Sequence, residues 1–242
     1  MLLKVATVPL IAALLAIAPV ATGQVVGPIQ FTEPEFPLYT VVNGLSVSTL
    51  NGVPIVPISF GFQSGGVPST DCTVSGGPGT TTYVSDPSIE GAPGELTITF
   101  GSDLSDFQFG FAVLPGGGGG RRGSGPVTSW STGSAPHPLA VTGAVQLTGY
   151  TAVGAAVGSV TVDAIDLPGD TFPGNLAVLS SATPFRRVVI SWNSQALSAF
   201  ALDNLQVRQA GEAIVPSLSG LGLAALAAAI VLAGIAALRL RT

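Results

Sequence analysis

The sequence predicts an all-β chain: an antiparallel β-sandwich of jelly-roll type, with an N-terminal signal helix and a C-terminal transmembrane helix. Three observations carry this. Between the two ends the dominant hydrophobic period is two, the period of a strand with one face in a core and one in water. Glycine- and proline-bearing turns separate the alternating runs, and no amphipathic helix of ten residues occurs between the ends. Glycine and proline make up 51 of 242 residues, yet 47% of the chain is apolar and 9% charged, so it has the means to bury a core. That excludes collagen-like and disordered chains.

Taken in order, residues 1–23 read as a signal peptide. Lys4 is the single positive charge, Val5–Ile17 is apolar apart from Thr7 and Pro9, and small residues follow at Ala18, Ala21 and Gly23. Cleavage is expected after Gly23 or Ala21. The ectodomain spans 24–210. Leu96, Ile98 and Phe100 alternate with Glu95, Thr97 and Thr99, and after a short Ser-Asp turn Phe107, Phe109, Phe111 and Val113 keep the rhythm. Val145 with Leu147, Val160 with Val162, and Val188, Ile190 and Trp192 repeat it. In the last run Phe200 and Leu202 are set against Ala201, Asp203, Leu205 and Val207. Gly116–Gly120 and the following Arg121–Gly125 read as a surface loop.

Residues 211–217 form a linker and the start of a sorting motif. Leu218–Leu238 is 21 residues without a charge, and at about 1.5 Å per residue such a helix spans roughly 30 Å, the thickness of a bilayer core. Residues 239–242 hold Arg239 and Arg241, which the positive-inside bias places in the cytoplasm, leaving the ectodomain outside. The body between these ends, residues 24–215, has five arginines, no lysine and all thirteen acids, a net charge of −8. Such a surface repels phosphate backbones, so nucleic acid is excluded as a partner.

The tail carries a resemblance. The opening Val215, Pro216, Ser217, Leu218 and Ser219, the apolar helix and the arginine-bearing end with Arg239 and Arg241 resemble the C-terminal sorting tails of bacterial surface proteins of the PEP-CTERM class and its IPTL-CTERM variant. The resemblance implies export, a membrane-anchored precursor, recognition by an exosortase-like sorting protease, and delivery to the cell surface or extracellular matrix. The body has its own: Phe60–Gly66, Thr97–Phe100, Asp106–Ala112, Ser181–Phe185 and Phe200–Leu205 are similar to the lectin-like jelly-roll ectodomains that often precede such tails.

Candidate chemistry is sparse. Gly118, Gly120 and Gly123 fit a dinucleotide fingerprint only through the polyglycine run, with Pro126 where the helix should start. The one histidine, His137, lies between two prolines, and no Gly-x-Ser-x-Gly elbow occurs. Cys72 is alone, which excludes a zinc cluster or redox pair and leaves a cross-linking thiol or a small half-buried residue. A carboxylate pair, Asp103 with Asp106 or Glu33 with Glu35, would suit a carbohydrate-active hydrolase, whose acids stand ~5 Å or roughly 6.5–9.5 Å apart. Structural calcium has two candidate sites: the loop cluster Asp163, Asp166 and Asp170, with the hard oxygen ligands calcium prefers; and Glu33 or Glu35 with Asp203, which resembles the calcium site of carbohydrate-binding jelly rolls. Trp130, flanked by serines, is the candidate exposed ligand platform, while Trp192 falls on a core face.

The reading is a non-catalytic exported surface or matrix protein acting by adhesion or glycan binding, with extracellular polysaccharide as partner; the alternatives are the hydrolase and a filament subunit. The mature chain is expected to begin near Gln24. N-terminal sequencing of exported material tests this, and an intact Met1 would refute it.

Overall fold

The computed structural model describes residues 25–32, 34–50, 52–76, 78, 81–116 and 140–211. The predicted signal peptide, sorting motif, transmembrane helix and basic end, together with Glu33, Trp130 and His137, lie outside the described residues. Among those described, no helix is long and apolar enough to cross a membrane.

Eleven strands are present among the described residues: β1 (Val25–Ile29), β2 (Ser46–Leu50), β3 (Val53–Ser64), β4 (Val67–Pro68), β5 (Cys72–Ser75), β6 (Ser88–Gly91), β7 (Glu95–Pro115), β8 (Ala140–Tyr150), β9 (Ala156–Ile165), β10 (Gly174–Trp192) and β11 (Leu197–Gln209). Every ladder is antiparallel, and the described residues are all-β, as expected of the body. The strands make one curled sheet that folds back into two facing layers, because β7 and β10 are long enough to belong to both. β7 runs 21 residues and β10 runs 19, against about 5–6 for an average strand. Residues 95–99 of β7 pair with 187–191 of β10, beside β3 on one flank and β8 on the other. Residues 106–112 of β7 pair with 174–180 of β10, and β11 lies on the other edge of β7.

This corrects the expected Ser-Asp turn. The stretch after Phe100 is no turn: β7 continues and bends. Register shifts flank Phe185, which pairs with Leu104, and both are buried. Bent strands that pass from one layer to the other are a recognised way to close a sandwich corner.

The alternating residues land where the period places them. Leu96, Ile98, Phe100, Phe107, Phe109, Phe111, Val145, Leu147, Val188, Ile190 and Trp192 are all buried in one core, with Val160 and Val162 packed against it. Aromatic rings run through it. Phe100 meets Phe107, Phe107 meets Phe109, and Trp192 stacks on Phe200 with centroids 4.2 Å apart and planes 7° from parallel. Phe62 of β3 reaches Phe200 of β11 at 6.2 Å, tying one layer to the other.

The last run needs a second correction. Leu205 and Val207 were expected opposite Phe200, yet all three share the core. Asn204 is the reason: its φ of 55° and the register shift between Asp203 and Gln206 insert a bulge that turns the remainder of β11 over.

Replacing Trp192 by alanine removes the stack and leaves a cavity. The expected loss is about 3–5 kcal/mol in chemical denaturation. Val153→Ala, at a position 90% exposed, should stay within about 0.5 kcal/mol.

Candidate functional site

Residues 81–85 form a loop that lies on the outer face of β7 and β11. Three contacts hold it. Ser85 donates both its backbone N–H (3.2 Å) and its hydroxyl to Oδ2 of Asp203. Asn204 Nδ2 donates to the Tyr83 carbonyl at 3.1 Å. Thr82 donates its N–H to the Asp170 carboxylate at 3.0 Å and its hydroxyl to Oδ1 at 3.1 Å. Beneath, Val84 packs with Ala112, Phe172 and Ala201 in a small separate core. Gly110 has to be glycine here, since a Cβ would collide with the Tyr83 carbonyl.

Beyond this loop the outer face of the same layer is open. A groove of about 120 Å³ is lined by Val25 of β1, Asp106 and Gln108 of β7, Val178 of β10, and Gln206, Val207 and Arg208 of β11. Register explains the grouping: Gln108 faces Gln206 and Val178, while Asp106 faces Arg208 and Ser180. Gln108 Nε2 donates to Gln206 Oε1. Asp106 accepts from Ser180 Oγ at 2.6 Å and Ser105 Oγ at 2.7 Å, and Arg208 Nε stands 3.6 Å away. The Ser180 hydroxyl holds the Asp106 carboxyl below its ordinary range; partial burial opposes this, and Ser105 and Arg208 add to it.

The groove therefore offers planar amide, carboxylate and guanidinium groups, oriented by one another, between the aliphatic side chains of Val25 and Val178. It is far smaller than the roughly 300 Å³ or more of a drug-sized pocket. Neighbouring Asp103 is ion-paired to Arg186 at 2.7 Å.

The remaining predicted residues are placed as follows. Glu35 Oε1 accepts the Gly52 N–H at 3.4 Å. Asp163 Oδ1 accepts the Gly143 N–H at 2.6 Å, and Asp170 holds Thr82. Asp166 is on the loop between β9 and β10. Asp203 is fully buried beneath Ser85. Asp163 Oδ1, both Asp170 oxygens and Asp203 Oδ2 accept N–H or O–H donors, while Asp203 Oδ1 has no partner. Among the described residues no three of His, Cys, Asp and Glu converge. Cys72 is buried, and burial followed by Glu90 pushes its thiol well up, away from the reactive thiolate. Sequence reasoning passed over Gln108 and Gln206; the signal was that both are polar residues inside alternating strand runs, on the face away from the core.

No family model matches the chain, and no curated protein matches it in sequence. Among solved structures it is similar to a mutant family 29 carbohydrate-binding module complexed with mannohexaose (12% identity, 79% of this chain and 94% of that chain, TM-score 0.32). It is also similar to the family 32 module from C. perfringens NanJ in complex with galactose (14%, 62% and 90%, TM-score 0.29). A third is the enzymatically active domain of bacteriophage CBA120 tailspike protein 4 (16%, 63% and 19%, TM-score 0.33). The likeness is faint at these scores, and the functional reading rests on the residues themselves.

Burial raises the Asp203 carboxyl; the Ser85 hydroxyl and nearby backbone amides oppose it. A carboxyl raised on folding binds its proton more tightly in the native state. Its contribution is thus most favourable below the unfolded value and is lost as pH rises from there through the folded one. Asp203→Asn should remove this component. The denaturation midpoint of the wild type, minus that of the variant, should fall between pH 3.5 and pH 7; a constant difference would refute the assignment.

Proposed function

We propose that this chain is a non-catalytic, exported surface or matrix protein whose jelly-roll body binds polysaccharide in the groove of Asp106, Gln108, Gln206 and Arg208. The observation that carries the reading is the Gln108–Gln206 pair. Each amide spends one group on the other and, among the described residues, makes no further side-chain hydrogen bond. Gln108 Oε1 stays free to accept and Gln206 Nε2 to donate. Sugar hydroxyls are both donors and acceptors, so a fixed pair of this kind matches them, with Asp106 and Arg208 extending the same row. Val25 and Val178 supply apolar surface for the C–H faces of a sugar ring.

Export and sorting belong to the same proposal. The signal-like start supports secretion, and the Val215–Ser219 motif with the apolar helix and Arg239 and Arg241 supports handling by an exosortase-like protease. A body facing outward would meet polysaccharide, which gives the groove its natural partner.

The test uses the full chain in mild detergent on an array of neutral and acidic polysaccharides. Wild type should bind at least one. Gln108→Ala and Gln206→Ala should each weaken that binding about tenfold, the size of one or two lost hydrogen bonds, while Ser198→Ala at the far end of β11 should leave it unchanged. An array without binding, or unchanged binding in both glutamine variants, would overturn the groove assignment.

A further inference from the structure

The outer face of the other layer holds an arginine unlike the other two described, Arg186 and Arg208. Register places Ser59 of β3, Thr99 of β7, Arg187 of β10 and Tyr150 of β8 in one row across four strands. Their neighbours Phe60, Ile98, Val188 and Gly149 are buried, so the row itself faces outward. Arg187 lays its guanidinium over the Tyr150 ring, 4.5 Å from the centroid. Its Nε is buried without a hydrogen-bond partner, and among the described residues it has no carboxylate. Arg186 and Arg208, in contrast, are paired with Asp103 and Asp106.

A half-buried guanidinium that has given up water at Nε without gaining an acceptor is under-satisfied. A carboxylate on its terminal amino groups would pair the charge that no described acid pairs, and the tyrosine ring fixes the plane of the fork that would receive it. Glu95, on the same face, is four residues down β7 from Thr99, about 13 Å away, and Asp103, four residues the other way, is taken up by Arg186 at 2.7 Å. At physiological salt a Debye length of about 8 Å limits how far the body's other exposed acids reach.

The surroundings select the carrier of the carboxylate. Thr97, Thr99, Thr148 and Ser59 present hydroxyls. Four residues along β10 the face reaches a hollow of about 290 Å³, lined among others by Gln146, Thr161, Ser191 and Asn193. Rows in the middle of a sheet offer no unpaired backbone to a peptide strand. We propose that Arg187 and Tyr150 form a second binding subsite, separate from the groove, that holds the carboxylate of a uronic-acid polysaccharide.

The experiment titrates the full chain in mild detergent with a polyuronate hexamer, a neutral hexamer and a poly-glutamate peptide. Arg187→Gln should weaken polyuronate binding about tenfold and leave the neutral hexamer unaffected. Arg187→Lys keeps the charge but loses the flat fork, and should recover little of that loss. Tyr150→Leu removes the ring that sets the fork and should weaken polyuronate binding as well. Gln108→Ala, which addresses the groove, should preserve the polyuronate increment over the neutral hexamer. Equal binding of polyuronate by wild type and Arg187→Gln would overturn the subsite. So would full recovery by lysine, or a poly-glutamate affinity matching that of polyuronate. The groove reading fails or survives separately, on the glutamine variants.

Discussion

Two strands that each serve two layers set the conditions for everything else in this molecule. β7 and β10 pair with each other on both sides of a bend, so the bend is repeated in register and cannot be undone in one strand alone. Leu104 and Phe185 fill its inside. Past that point Trp192 and Phe200 stack face to face, with Phe109 and Phe111 edge-on to the indole. Edge contacts and offset stacks add about 0.5–1.5 kcal/mol per pair beyond burial. The gain matters in a chain whose strands are joined by glycine-rich turns of high unfolded-state entropy. Because the same two strands cross both layers, one strand presents two different outer faces: Asp106 and Gln108 in the groove, and Thr97 and Thr99 on the flat face beside Arg187.

The second constraint is a polar one. Asp203 sits opposite Gly110 in a layer whose outer face is covered there by the 81–85 loop. A buried carboxylate is costly, and this one has Oδ1 without a partner. What it secures is position. Asp203 and Asn204 together grip Ser85 and Tyr83, and the same bulge that turns Asn204 outward sends Leu205 and Val207 back into the core. The groove residues Gln206, Val207 and Arg208 follow directly after this bulge on β11. A conservative replacement of the bulge would thus disturb core, loop and groove at once, since a single backbone kink feeds all three.

How far the sequence speaks follows from these two features. Period-two alternation located the inward residues of β7, β8, β10 and β11, because burial of one face is written at every second position. It could not show that β7 continues through Gly101–Ser105, where small and acidic residues look like a turn but are the outside of a bend. Nor could it see the bulge at Asn204, since one residue in an uncommon conformation reverses the face of all that follow. Strands β1, β2, β5 and β6 are short or lie at edges, and their alternation is too brief to register. The groove was illegible for a related reason: Gln108 and Gln206 are 98 positions apart, and only the register of β7 with β11 brings them together.

Charge in this body is scarce enough for each described cation to have a distinct setting. Arg186 closes on Asp103 and Arg208 on Asp106, both at partly exposed positions where ion pairs contribute about 0–1 kcal/mol. Stability is a weak reason for either. Orientation is a better one. Asp106 already accepts two hydroxyls, and Arg208 completes a set that keeps it ionised and stationary beside Gln108. Arg187 lacks such an acid and leans on an aromatic ring. The groove face thus carries its own counter-charges, while on the other face Arg187 has no carboxylate partner among the described residues.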